Sequence, residues 1–189
     1  DDIEDYRRFM RKTGLFDLIA NHIISNLVDY ATGVEAGLDS NGRKNRGGHL
    51  MEDLVEGFIE QTGVEYYKEM YLEDIERKWG IDLSRLSNQG STRKRFDFVV
   101  KTPTTIYGIE TNFYKGPNGG GSKLNETARS YKMLAQESQE VDGFEFVWIT
   151  DGTAWRSARG NLRETFDATR YIYSIVQLEN GELDELFEE

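Results

Sequence analysis

The sequence predicts an α/β fold, a central mixed β-sheet flanked by helices. Three observations lead there. Amphipathic helical spacing runs through HLMEDLVEGFIEQTG from His49. Two short apolar strands follow in RFDFVVKTPTTIYGIETNFYKGPNGGGSK, from Arg95 to Lys123. Beyond them a helical pattern, a nearly continuous apolar run, a second helical pattern and a last apolar run alternate toward the C-terminus. At 189 residues the chain suits one domain, residues 1–189, with a core of its own.

Taken in order, residues 3–30 place Phe9, Leu15, Ile19, Ile23, Leu27 and Tyr30 at helical steps, broken at Gly14 into two short helices. This helical segment, within residues 1–35, is expected to pack on the core or form a dimer contact. His22 lies beside its apolar stripe and reads as a hydrogen-bonded structural residue. The stretch ATGVEAGLDSNGRKNRGG then reads as a polar loop whose basic half, Arg43, Lys44 and Arg46, can order on a phosphate backbone. From His49, Leu50, Met51, Leu54, Val55, Phe58 and Ile59 form the apolar face of a helix closed by Gly63. Residues 64–79 read as a strand over Val64 to Tyr71 followed by a helix, or as one helix. After the paired strands, Leu124 to Gln136 is helical, with Leu124, Ala128, Tyr131 and Leu134 or Ala135 in step. FEFVWIT, Phe144 to Thr150, is a strand buried on both faces. Asp151-Gly152 turns the chain, and Asn161 with Glu164 can cap a short helix through Ala168. YIYSIVQL, Tyr171 to Leu178, reads as the last strand.

The paired strands carry the chemistry. Phe96, Phe98 and Val100 alternate with Asp97 and Val99, while Ile106, Gly108, Glu110, Asn112 and Tyr114 share a face of the next strand. A tight turn centred on Pro103-Thr104 sets Thr102 opposite Thr105 and Asp97 opposite Glu110. Two like charges face to face destabilise a sheet unless a cation lies between them, and a divalent metal held by oxygen ligands answers that need. Glu52 and Glu56, one turn apart on the preceding helix, are candidates to join them. Such a site can polarise a phosphodiester and activate a water. The alternative is that Asp97 pairs with a nearby Arg.

Composition narrows the field. The absence of cysteine excludes a disulfide framework and a Cys/His zinc site. No apolar run reaches the roughly 18–20 residues of a membrane span, and DDIEDYRRFMRK is unlike a signal peptide, so a soluble intracellular protein with no membrane partner is expected. Without an initiating Met, the chain reads as processed or as part of a longer one. The net charge of −11 argues against a generic nucleic-acid coating protein. Much of the acid, however, lies in DDIED and ENGELDELFEE, while Arg43, Lys44, Arg46 and Arg93, Lys94, Arg95 form interior basic clusters.

The run IETNFYKGPNGGGSKLNETARSYK, followed by FVWITDGTAW and LRETF, resembles the DpnII/MboI family of type II restriction endonucleases, within the PD-(D/E)xK nuclease superfamily. The resemblance spans roughly residues 45–180 and implies a restriction-endonuclease-like core. It implies Asp97 and Glu110 as the catalytic, metal-binding acids, with Glu52 rather than Glu56 as the helix acid completing the site. Where the superfamily usually has Lys, two residues after Glu110, this sequence has Asn112, which can only orient a water through its amide. Strict Mg²⁺ dependence is then expected, with Lys115 and Lys123 as substitutes for the missing cation. The resemblance also implies hydrolysis of double-stranded DNA at GATC ahead of the G, leaving 5′ four-base overhangs, by a homodimer in a prokaryotic cytoplasm. By position and residue type, Lys123, Asn125 and Arg129, with Lys115, are candidates to contact the DNA, and Arg43, Lys44 and Arg46 to grip phosphates. Two rival readings stand. One is a DNA-binding domain of the same fold without chemistry. The other is a nucleotide-binding protein, since GPNGGGSK lies between a strand and a helix; yet a P-loop needs Ser or Thr after its Lys, and here Ser122 precedes Lys123.

Overall fold

A computed structural model of the chain describes residues 40–86, 94–114, 121–152 and 163–188, and for residues 40–50 and 121–123 it describes the backbone. The two helices expected within residues 3–30, the Arg93 position, the Lys115 to Gly120 loop and the Asn161 cap lie outside these residues. The chain divides into two compact units, Asp1–Thr62 and Gly63–Glu189.

In the first unit one long helix, α1 (Ser40–Thr62), contains the expected amphipathic segment. Among its described side chains Met51, Val55, Phe58 and Ile59 are buried, and Gly63 ends it in the left-handed region at φ 72°. The expectation of a polar loop through residue 48 is corrected here: residues 40–48 are helical. Extending a helix already seeded by an amphipathic segment costs far less than starting one, and no proline interrupts Ser40–Thr62.

The second unit is built on β1 (Glu65–Tyr71), β2 (Arg95–Lys101), β3 (Ile106–Phe113), β4 (Phe144–Asp151) and β5 (Tyr171–Tyr173). They form one five-stranded sheet in the order β1-β2-β3-β4-β5. β1, β2 and β3 are antiparallel neighbours, while β4 and β5 run parallel to β3. This is the mixed sheet with flanking helices that the element order predicts. Between β1 and β2 come α2 (Leu72–Trp79), closed by Gly80, and a short 3₁₀ turn (Ser84–Leu86). Between β3 and β4 runs α3 (Gly121–Ser138), longer at both ends than Leu124 to Gln136.

The last predicted strand is also corrected. YIYSIVQL holds a strand only over Tyr171–Tyr173, after which α4 (Ile175–Glu179) begins. The reason is local: the Gln177 side chain accepts the Ser174 backbone N–H at 2.9 Å, a helix-starting arrangement that competes with the strand. The acidic end then forms α5 (Glu182–Glu188), which buries Leu183, Leu186 and Phe187 at helical spacing.

The core lies between α3 and one face of the sheet. Leu124, Ala128, Tyr131, Leu134 and Ala135 from the helix join Phe96, Val99, Ile106, Phe144, Phe146 and Trp148 from the strands. Gly108 sits where a side chain has no room: a Cβ there would meet the Phe144 ring at 2.7 Å and the Phe96 ring at 2.9 Å. On the other face, Tyr107 packs edge-on against Phe187 at 5.3 Å and donates its hydroxyl to the Leu186 carbonyl at 3.1 Å. Each fully buried large apolar side chain contributes about 1.5–3 kcal/mol, so this two-sided burial dominates the unit's stability.

Candidate active site

The hairpin turn is the one the sequence predicts. Thr102 N–H donates to the Thr105 carbonyl at 2.9 Å, and Phe98 pairs with Ile109. One more step in that register sets Asp97 level with Glu110. The ladders, however, omit Asp97 on both sides. β2 and β3 are last paired at Phe98 and Ile109, and β1 pairs Lys68 with Phe98 and Met70 with Phe96, leaving out Glu69. Glu69 itself has φ 53°, a left-handed conformation costly for a residue with a Cβ and most often kept where function requires it. The sheet therefore opens around Asp97. Its Oδ2 takes the place of a backbone acceptor, receiving the Thr111 N–H at 2.7 Å and the Thr111 hydroxyl at 3.0 Å. Oδ1 accepts no hydrogen bond among the described residues.

Glu110 is 6% exposed in the middle of the sheet. A buried charge survives only when paired and hydrogen-bonded, and both oxygens are engaged. Lys94 Nζ donates to Oε1 at 2.5 Å, and the Tyr131 hydroxyl, from α3, donates to Oε2. Burial pushes the Glu110 carboxyl above its ordinary value, with Asp97 adding to the rise and Lys94 opposing it. Burial and the Glu110 charge together hold the Tyr131 phenol well above its ordinary value, so it stays a donor. A raised folded-state pKa means that the folded chain binds the proton more tightly than the unfolded one. Stability from this group is therefore lost as pH rises from the ordinary carboxylate range through the raised value. Glu110→Gln removes that dependence. The melting-temperature difference between variant and wild type, measured without divalent ions, should shift in the variant's favour between pH ~4 and ~8; a flat difference would show that Glu110 titrates normally.

Asn112 is held rather than loose. Its Oδ1 accepts the Trp148 indole N–H at 2.9 Å. Trp148 is fully buried and meets Tyr131 at 90° with centroids 5.1 Å apart. Three members of this network escaped sequence reasoning. Lys94 stood inside a basic cluster read only as charge, Tyr131 counted as an apolar helix position, and Trp148 as strand filling.

The other predicted residues fall as follows. Asn125 is half-buried in the first turns of α3, and its Oδ1 is shut off from solvent with no partner among the described residues; Arg129, one turn on, is exposed. Lys123 is in α3, and Arg43, Lys44 and Arg46 are in α1, by backbone. Lys115 lies outside the described residues. Glu52 and Glu56 are half-buried on α1, in the first unit. Two carboxylates fit a small hard cation such as Mg²⁺, which takes one or two of them and completes its shell with water and phosphate oxygens. Among the described residues, no cluster of three or more His, Cys, Asp or Glu forms a site for a metal.

Acids on adjacent strands of a mixed sheet, oriented by a buried network, are the class of site that the resemblance above implies. The family model for the DpnII restriction endonuclease matches residues 1–185, and the chain belongs to that family. It is 51% identical over 188 residues to the type II restriction enzyme DpnII of Streptococcus pneumoniae, covering 97% of this chain and 64% of that one. It is 40% identical to the type II restriction enzyme MjaIII of Methanocaldococcus jannaschii, covering 98% and 64%, and 40% identical to the type II restriction enzyme MboI of Moraxella bovis, covering 94% and 59%. The chain thus spans roughly three-fifths of the length of these relatives. No solved structure matches it significantly.

Proposed function

We propose that the chain carries the phosphodiester-cleaving centre of a type II restriction endonuclease acting on double-stranded DNA at GATC, with Mg²⁺, and leaving 5′ overhangs. The observation that supports this most is the Asp97 and Glu110 pair, each acid fixed by its own hydrogen bonds at a break in the sheet. Mg²⁺, held by Asp97 and Glu110 with Glu52 as the proposed third acid, would supply charge stabilisation at the phosphate and ease deprotonation of water. The chain's own residues do the rest. Thr111 fixes the Asp97 carboxylate, Tyr131 and Lys94 hold that of Glu110, and Trp148 sets the Asn112 amide. Lys115, Lys123, Asn125 and Arg129 are the proposed DNA contacts near the α3 start, and Arg43, Lys44 and Arg46 the proposed phosphate contacts. A palindrome cut on both strands calls for a homodimer, with one half-site per subunit, working in a prokaryotic cytoplasm.

The test is incubation of unmethylated duplex containing GATC with the protein and Mg²⁺, beside a duplex lacking the sequence. Cutting at GATC alone, with four-base 5′ ends, is the expected outcome. The second reading, a binding domain without chemistry, rests on Asn112 standing where a Lys is usual. Intact duplex at protein concentrations that retard it in a gel would favour that reading.

A further inference from the structure

We propose that Lys94 is the cationic residue of the cleaving site, supplying from the start of β2 the charge that Asn112 lacks on β3. The inference rests on the proposed function and adds a residue to it. Four observations converge. The Asn112 amide is fixed through its oxygen, which accepts the Trp148 indole N–H, and it carries no charge, so it cannot supply the positive charge that a developing phosphate charge calls for. Lys94 touches Glu110 directly, with Nζ 2.5 Å from Oε1, so its ammonium stands at one of the two proposed metal-binding acids. Its placement is built, not incidental: Nζ lies 5.3 Å from the Phe96 ring centroid and 5.4 Å from that of Tyr131, two aromatic faces that favour a cation there. Finally, the side chain is 24% exposed beside a Glu110 side chain only 8% exposed, so Lys94 is the part of the pair that an incoming molecule meets.

An ammonium has three N–H donors, and among the described residues Lys94 uses one. Two remain for a water and for a non-bridging phosphate oxygen. In the hydrolysis, the water oxygen bonds to phosphorus while the bond to the leaving oxygen breaks with its electron pair. The proton lost by the water is balanced by one taken up from solvent at the leaving oxygen. Lys94 stays protonated throughout. It contributes fixed positive charge where negative charge builds on the phosphate, and its hold on Glu110 keeps the carboxylate turned toward that point.

Its presence also sets up a competition, because a divalent cation and the ammonium seek the same Glu110 oxygen. Lys94→Met, which keeps the length and loses the charge, should therefore separate two properties. Single-turnover cleavage of the GATC duplex in saturating Mg²⁺ should slow by about 100-fold or more. Ca²⁺ affinity, measured calorimetrically on the unliganded protein, should stay equal or tighten, and duplex affinity in Ca²⁺ should stay within about threefold. Lys94→Arg, which keeps the charge, should recover much of the lost rate and melt near the wild-type temperature. A residue that only propped up the fold would instead lower the melting temperature, metal affinity and cleavage together. The proposal is overturned if Lys94→Met cuts within about threefold of wild type, if the Arg variant is no better than Met, or if Ca²⁺ affinity falls in parallel with rate. Should the Met variant fail to fold, the comparison passes to Lys94→Gln with the same limits. Wild-type protein that binds but never cuts GATC would overturn the proposed function itself. Wild type that cuts alongside an equally active Met variant would overturn the role of Lys94 alone.

Discussion

Asp97→Asn should lose cleavage of GATC duplex in Mg²⁺ by on the order of 10³-fold or more, while duplex binding in Ca²⁺ stays within a few-fold of wild type. The choice of Asn is dictated by the hydrogen bonds. Asp97 Oδ2 is the acceptor for the Thr111 backbone N–H, and an alanine would leave that donor orphaned at a structural cost of about 1–3 kcal/mol. The amide keeps an oxygen for Thr111 and removes only the charge, so the lost rate reports on chemistry. Glu110→Gln follows the same logic, its amide oxygen still accepting from Lys94 while its NH2 can donate to the Tyr131 hydroxyl in place of the present bond. A readout independent of activity accompanies both. Mg²⁺ or Ca²⁺ should raise the wild-type melting temperature by mass action and should raise that of either variant less. If either variant cuts at the wild-type rate, the two carboxylates are not the metal platform.

Trp148→Ala should cost about 3–5 kcal/mol, read as a lower urea midpoint with unchanged slope. The indole is wholly buried in the centre of the sheet face covered by α3, and its loss leaves a cavity that neighbouring β-strands cannot close. The same substitution removes the hydrogen bond to Asn112 and the edge-on contact with Tyr131. Folded variant assayed well below its melting temperature should therefore also cut more slowly. Trp148→Phe, retaining most of the volume but not the N–H, isolates that second effect. A cost below about 1 kcal/mol for the alanine variant would mean that the strand face repacks freely, contrary to the tight approach of the Phe96 and Phe144 rings at Gly108.

What the chain disclosed in advance follows from the range of the forces involved. The hairpin and its register were legible because Pro103 fixes the turn and period-two alternation fixes the faces, both local rules. The α1 and α3 stripes were legible for the same reason, at period 3.6. The end of β5 was not: an apolar run such as YIYSIVQL satisfies strand and helix alike, and one Ser174–Gln177 cap decides between them. Nor was the partner of Glu110. A mid-strand acid announces that it needs a cation, but the sequence offers many, and choosing Lys94 requires knowing that it lies beside Tyr131 of α3. The expected third acid, Glu52, belongs to a different compact unit, where periodicity says nothing about reach.

Tyr131 and the candidate DNA contacts Asn125 and Arg129 ride on one helix, six residues or fewer apart. A helix moves as a rod, rising about 1.5 Å per residue, so a push at its first turn is not absorbed on the way to Tyr131. Since the Tyr131 hydroxyl holds Glu110, duplex seated against Asn125, about 9 Å back along the helix axis, would trim the position of the proposed catalytic carboxylate. A wrong base that tilted the rod by a fraction of an ångström would then be felt as misalignment of the acid, making fidelity a property of the lever as much as of the grip.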